Sequence, residues 1–101
     1  MKKIIKGKKY NTETATCVGT FQYSYLGDFY YLRETLYRKK SGDYFLHGEG
    51  GPASRYGVTV GLNKWIGNED IIVMNVNEAK EWSKEHLGAD EYVAEFGEFK
   101  E

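Results

Sequence analysis

Residues 29–47 read FYYLRETLYRKKSGDYFLH, and this stretch decides the fold. From Phe29 to Arg38 large apolar and polar residues alternate, the period-two signature of a strand. Tyr30, Leu32 and Leu36 share one parity; Tyr31, Arg33, Thr35 and Tyr37 share the other. Strand side chains point alternately to two faces, so the first set is expected inward and the second toward water. Glu34 falls on the inward parity and cuts across that assignment. Lys39-Lys40-Ser41-Gly42-Asp43 breaks the pattern, and Tyr44-Phe45-Leu46-His47 resumes it. Two β-rich runs joined by a short loop containing glycine predict a β-hairpin.

Upstream, Thr20 to Tyr25 alternates strictly, with Phe21, Tyr23 and Tyr25 on one face, until Leu26-Gly27-Asp28 ends it. Ile4-Ile5, Lys6-Gly7 and Lys8-Lys9-Tyr10 read as strand, turn and strand, with the glycine supplying the turn's special backbone angle. Downstream, Gly48-Glu49-Gly50-Gly51-Pro52 holds three glycines and the only proline, and reads as a loop. Val58-Thr59-Val60 favours a strand between Gly57 and Gly61, and Leu62 to Asp70 reads as a connection. Ile71-Ile72-Val73-Met74 is a continuous apolar run, the pattern of a strand buried on both faces.

The last quarter changes period. Asn75 followed by Glu78 has capping-box spacing, which predicts a helix from Val76 to Leu87. Val76, Ala79, Trp82 and Leu87 form its core side, and Gly88 is expected to end it as a left-handed residue. Asp90 to Phe96 predicts a second short helix stopped by Gly97. The fold class is α+β: one domain over 1–101, mostly β in 1–74 and helical in 75–97. A mainly antiparallel sheet of four to six strands carries one or two C-terminal helices on one face, packed through Trp82, Tyr92 and Phe96.

The chain has 101 residues, 41% of them apolar and 29% charged, an ordinary balance for a globular domain. Nine tyrosines suit half-buried sheet faces and binding surfaces. The single cysteine, Cys17, excludes an internal disulfide framework and a multi-cysteine metal site, and is expected to be a small buried hydrophobe. No apolar run approaches the roughly 20 residues that cross a bilayer, and no apolar segment follows the basic start, so a cytosolic protein without a membrane role is expected. The net charge of −1 hides an asymmetry: residues 1–40 carry nine Lys/Arg and three Asp/Glu, residues 41–101 five and twelve. Such a split either gives the fold a basic and an acidic side or is neutralised by folding.

The chemistry-bearing candidates are few. His47-Gly48-Glu49-Gly50-Gly51 pairs an imidazole with a carboxylate in a glycine-rich run. It has no Gly-Lys-Ser/Thr ending and no dinucleotide context, and close backbone packing explains the glycines equally well. Cys17 with either histidine lacks any sign of an activated thiol, and Ser54 lacks a nucleophile-elbow context. No catalytic set, metal or cofactor is therefore expected. Two surfaces remain. Arg33, Arg38, Lys39 and Lys40, interleaved with Tyr31 and Tyr37, form a basic aromatic hairpin edge suited to phosphates and unpaired bases, which the lysines at 2, 3, 6, 8 and 9 extend. The plainer role for such an edge is solubility, because lysines blunt exposed strands. Glu78, Glu81 and Glu85 lie three and four apart on the helix expected over Val76 to Leu87, an acidic stripe that either faces water or imitates a phosphate backbone.

The opening MKKIIKGKKYNTETA, the central ETLYRKKSGDYFLHGEGGPASRY and the closing EAKEWSKEHLGADEYVAEFG together resemble one group of small proteins carried by mobile elements of low-GC Gram-positive bacteria. The resemblance spans nearly the whole chain, in a specific order of blocks. Some proteins of this look are associated with anti-CRISPR activity against type II RNA-guided nucleases. The resemblance implies a non-enzymatic, cofactor-free inhibitor, acting in the bacterial cytoplasm on a CRISPR effector nuclease or its guide RNA. It transfers no functional residue. An acidic helix suits the nuclease's positively charged channel, and a basic hairpin suits competition for the guide. The rival expectation is a small nucleic-acid-binding accessory domain of a mobile element. Monomer and homodimer are both open, since a tyrosine-rich face or strand edge is able to pair.

Overall fold

The computed structural model describes residues 1–97. Its strands are β1 (Lys2–Ile5), β2 (Lys8–Asn11), β3 (Thr16–Tyr23), β4 (Leu32–Arg38), β5 (Tyr44–Gly50), β6 (Val58–Thr59), β7 (Trp65–Ile66) and β8 (Asn68–Met74). Helices α1 (Val76–His86) and α2 (Ala89–Phe96) follow. The fold is α+β, with every strand pairing antiparallel. The central sheet runs β3-β4-β5-β8, while β1-β2 and β6-β7 form separate two-stranded arms.

The β4–β5 hairpin is the axis of the molecule, with Arg38 opposite Tyr44 at the turn end and Leu32 opposite Gly50 at the open end. Glu34, Leu36, Tyr44 and Leu46 share the face that carries the helices. There Leu36, Tyr44 and Leu46 pack with Ala79 and Trp82 of α1, joined by Val18, Phe21, Met74, Leu87 and Phe96. Phe45 and Ile71 bury their side chains on the opposite face beneath Tyr10 of the β1–β2 arm. In that arm Lys6 and Gly7 both have positive φ (50° and 78°), the tight turn whose twist matches an antiparallel pair. The Asn75–Glu78 capping box starts α1 as expected. Gly97, at φ 87°, follows the end of α2.

Several expectations are corrected. Gly48, Glu49 and Gly50 belong to β5 rather than to a loop. A Cβ on Gly48 would collide with the Tyr56 phenol, which packs against this strand, so a tertiary contact selects the glycine. β8 is an edge strand: Ile71 is buried beneath the β1–β2 arm, but Val73, on the same face, is exposed. Phe29 and Tyr30 lie in a turn before β4, and Ser24, at φ 63°, ends β3 before Tyr25. Val18 is a bulged residue in β3, just before the stretch from Thr20 to Tyr23, which pairs in regular register with β4. Gly88 has φ −73° and caps the start of α2 instead of ending α1 in a left-handed turn, and Val76 is exposed. Cys17 is exposed, not buried.

Candidate functional site

Exposed large apolar side chains concentrate at the open end of the β4–β5 hairpin. Two segments build it: the loop 24–31 before β4, and the excursion 51–67 between β5 and β8, which carries the β6–β7 arm. The loop is held by Asp28, whose carboxylate accepts from the Ser24 hydroxyl and from the Tyr30 N–H at 2.9 Å. The same two bonds, Ser24 first, hold the Asp28 carboxyl below the ordinary carboxylate range. The excursion joins the loop through Gly51 N–H to Tyr31 C=O and Ala53 N–H to Phe29 C=O, each 2.8 Å. Between them lies an open groove of about 640 Å³ lined by Phe29, Tyr30, Pro52, Ala53, Ser54, Asn63 and Trp65. Phe29, Tyr30 and Trp65 are 69%, 63% and 56% exposed, and Leu26, Val60, Leu62 and Ile66 of the same two segments are exposed as well. A contiguous apolar surface of this kind is the mark of an interaction site, whereas scattered single residues are ordinary.

The base of the excursion is tied down by a buried carboxylate. Glu34 is 2% exposed, on the helix side of β4. It accepts from the Tyr56 hydroxyl at 2.6 Å, Trp82 Nε1 at 3.1 Å and Arg55 Nη1 at 3.2 Å. A buried carboxylate is tolerated when donors satisfy it, and here three arrive from two elements. Burial, then the bond to Glu34, raises the Tyr56 phenol well above its ordinary range. The residue that disturbed the alternation of β4 is thus the tie between the sheet, α1 and the base of the excursion.

The basic aromatic edge read from the sequence is divided. Tyr31 is 7% exposed, and its hydroxyl donates to Glu49 at 3.0 Å, so its ring offers no stacking face. Tyr37 is half-buried and stacks on Phe45, with centroids 5.2 Å apart. Arg38 lies on the opposite sheet face from Tyr37, where it pairs with Glu95 of α2. Arg33 and Lys40 are exposed. The Lys39 ammonium sits over the Tyr10 ring, 4.3 Å from its centroid. Arg33 and Tyr31 therefore belong near the apolar end, and Lys39 and Lys40 to the turn end.

The acidic stripe does face water. Glu78 is engaged in the helix cap, Glu81 pairs with Lys84 at 3.1 Å, and Glu85 lies 3.8 Å from His86. All three line a shallow groove with Arg55 and Asn75. His47 Nε2 lies 3.2 Å from Glu69 across the β5–β8 pair, so the His47–Glu49 couple of the sequence is not the pair that forms. Among the described residues no group of His, Cys, Asp and Glu is arranged to hold a metal ion. No helix among them is long and apolar enough to cross a membrane.

Sequence reasoning missed the apolar groove. Phe29 and Tyr30 read as the first residues of a strand, and the two-residue strands of the β6–β7 arm are too short to show a period. The available signal was compositional: Val58 to Ile66 holds five large apolar residues outside any confident element. No family model, curated protein or solved structure matches the chain.

Proposed function

We propose that this protein is a non-enzymatic inhibitor that binds a type II CRISPR effector, or its guide RNA, and blocks its action. The observation that carries a binding role is the open groove around Phe29, Tyr30 and Trp65, an aromatic surface exposed to water. Aromatic anchors of this type dominate protein–protein recognition because they bury much area with few rotatable bonds. The identity of the partner rests on the resemblance of the three sequence blocks. On this reading the apolar end docks on the effector, and the acidic face of α1, with Glu78, Glu81 and Glu85, lies beside a channel built for nucleic acid.

A target-cleavage assay tests it, with the protein added to a type II nuclease before or after guide loading. Inhibition after loading, lost in Trp65→Ala, is the expected result. Inhibition only when the protein is added first places its action at assembly and makes the guide RNA or the unloaded effector the target. No inhibition in either order, across several nucleases, overturns the proposal and leaves the nucleic-acid accessory domain as the reading to pursue.

A further inference from the structure

At the turn end of the β4–β5 hairpin, Lys9 from β2 meets Lys39 and Lys40 from the turn. They line one pocket of about 290 Å³ with Asn11, Thr14 and Ser41, and no carboxylate lines it. Asp43 holds Lys8 at 3.6 Å and Asp70 holds Lys3 at 2.6 Å, while Glu13 lines a neighbouring pocket with Lys2 and Asn11. Asp43 also accepts from the Ser41 hydroxyl at 3.1 Å. Among the described residues Lys9, Lys39 and Lys40 have no carboxylate partner. Asn11 adds a neutral donor: its side-chain oxygen is taken by the Glu13 N–H at 3.0 Å, which leaves its amide NH₂ to offer.

Three lysines lining one pocket without a carboxylate among its lining residues leave an excess of positive charge there, and an anion relieves it. Lysine acts on phosphate as a point charge and needs no fixed fork geometry. Positive charge also continues beyond the pocket. Lys2 stands opposite Asn11 in the β1–β2 register, and Lys6 occupies the arm's turn. A lone phosphate uses only the pocket, whereas a chain of phosphates uses the arm as well. We infer that the turn end binds the phosphodiester backbone of a nucleic-acid strand, independently of base sequence. This site lies at the other end of the hairpin from the apolar groove and does not depend on the inhibitor reading.

The test is fluorescence anisotropy of a labelled 20-nucleotide oligouridine RNA, titrated with the full chain over a series of salt concentrations. Binding that weakens with salt is expected, and a DNA strand of the same length binds comparably. Each phosphate neutralised on a single strand contributes about −0.7 to the slope of log K against log salt. The triple variant Lys9→Ala/Lys39→Ala/Lys40→Ala then makes the slope shallower by about 2 and weakens low-salt binding roughly tenfold or more. Trp65→Ala leaves both unchanged. Should the triple variant lose its far-UV circular dichroism, the single change Lys40→Glu at an exposed position still makes the slope shallower. Absence of salt-sensitive binding by the wild-type chain overturns the inference, as does a variant with the wild-type slope. Inorganic phosphate that raises the melting temperature while the RNA fails to bind makes free phosphate the ligand and also overturns it. Failure to inhibit a nuclease leaves these readouts untouched, so the two proposals fall separately.

Discussion

The two ends of the β4–β5 hairpin lie about 20 Å apart, the length of its seven-residue strands. At the turn end, lysines line a small pocket, and the Tyr10 ring is buried beneath Lys39. At the open end, aromatic rings stand in water, and the polar group that anchors the excursion, Glu34, is buried on the helix side of β4. The arrangement is inverted: each end hides the chemistry that the other displays. The lysine end needs little support, because ammonium groups remain hydrated wherever the backbone holds them. The aromatic end needs a rigid base, because exposed apolar loops otherwise collapse onto themselves. The three donors on Glu34 supply that base and tie Arg55 and Tyr56 to α1 through Trp82.

The largest effect is expected where the open end is anchored. Glu34→Ala leaves the Tyr56 hydroxyl and the Trp82 N–H buried without an acceptor, a loss of about 3 kcal/mol. For a domain of this size that lowers the melting temperature by roughly 12–24 °C, measurable by calorimetry. A shift below a few degrees would break the idea that the carboxylate supports the open end. Next comes Trp65→Ala, which removes an exposed anchor. Stability is expected to stay within about 0.5 kcal/mol of wild type, while partner affinity falls by about 2 kcal/mol, or roughly 30-fold. Equal loss of stability and affinity would instead make Trp65 a structural residue.

Asn75→Ala sharpens the contrast as a change that touches neither end. It removes the α1 cap and is expected to cost about 1 kcal/mol, with inhibition and RNA binding both retained by the folded fraction. The smallest effect belongs to Tyr44. Burial, then its 2.5 Å bond to Glu95, pushes its phenol up to about 12. A raised folded value means that the stabilisation is full below the ordinary phenol value near 10 and is lost as pH climbs from there toward 12. Denaturant unfolding across that window is expected to show a decline in wild type that is reduced in Tyr44→Phe.

Local chemistry was legible in the sequence wherever neighbours in the chain decide the outcome. The Lys6-Gly7 turn, the Asn75–Glu78 cap, the β4–β5 hairpin and the glycine after α2 all depend on residues within a few positions of one another. The misreadings have a common physical origin in contacts between distant residues. Gly48 is a strand residue because Tyr56 lies against it, and Tyr31 is buried because Glu49 and the 51–54 segment close over it. Glu34 looked like a fault in the alternation because its donors, Arg55, Tyr56 and Trp82, are 21 to 48 residues away. Of the candidate site, the lysines and the acidic stripe were visible as charge. The aromatic groove was not, since its two walls come from separate loops that only the sheet brings together.

The excursion 51–67 leaves and re-enters the sheet at adjacent positions, Gly50 being paired with Asn68. Its tip closes on itself through Val60 N–H to Lys64 C=O at 2.9 Å, with only residues 61–63 between. Doubling the length of such a closed loop costs about 0.6 kcal/mol, and the sheet does not register the change. The arm beyond Gly57 is therefore an interchangeable cassette. Its tip is free to diversify in length and sequence, as an antibody loop does, while Tyr56 and Arg55 keep its base fixed.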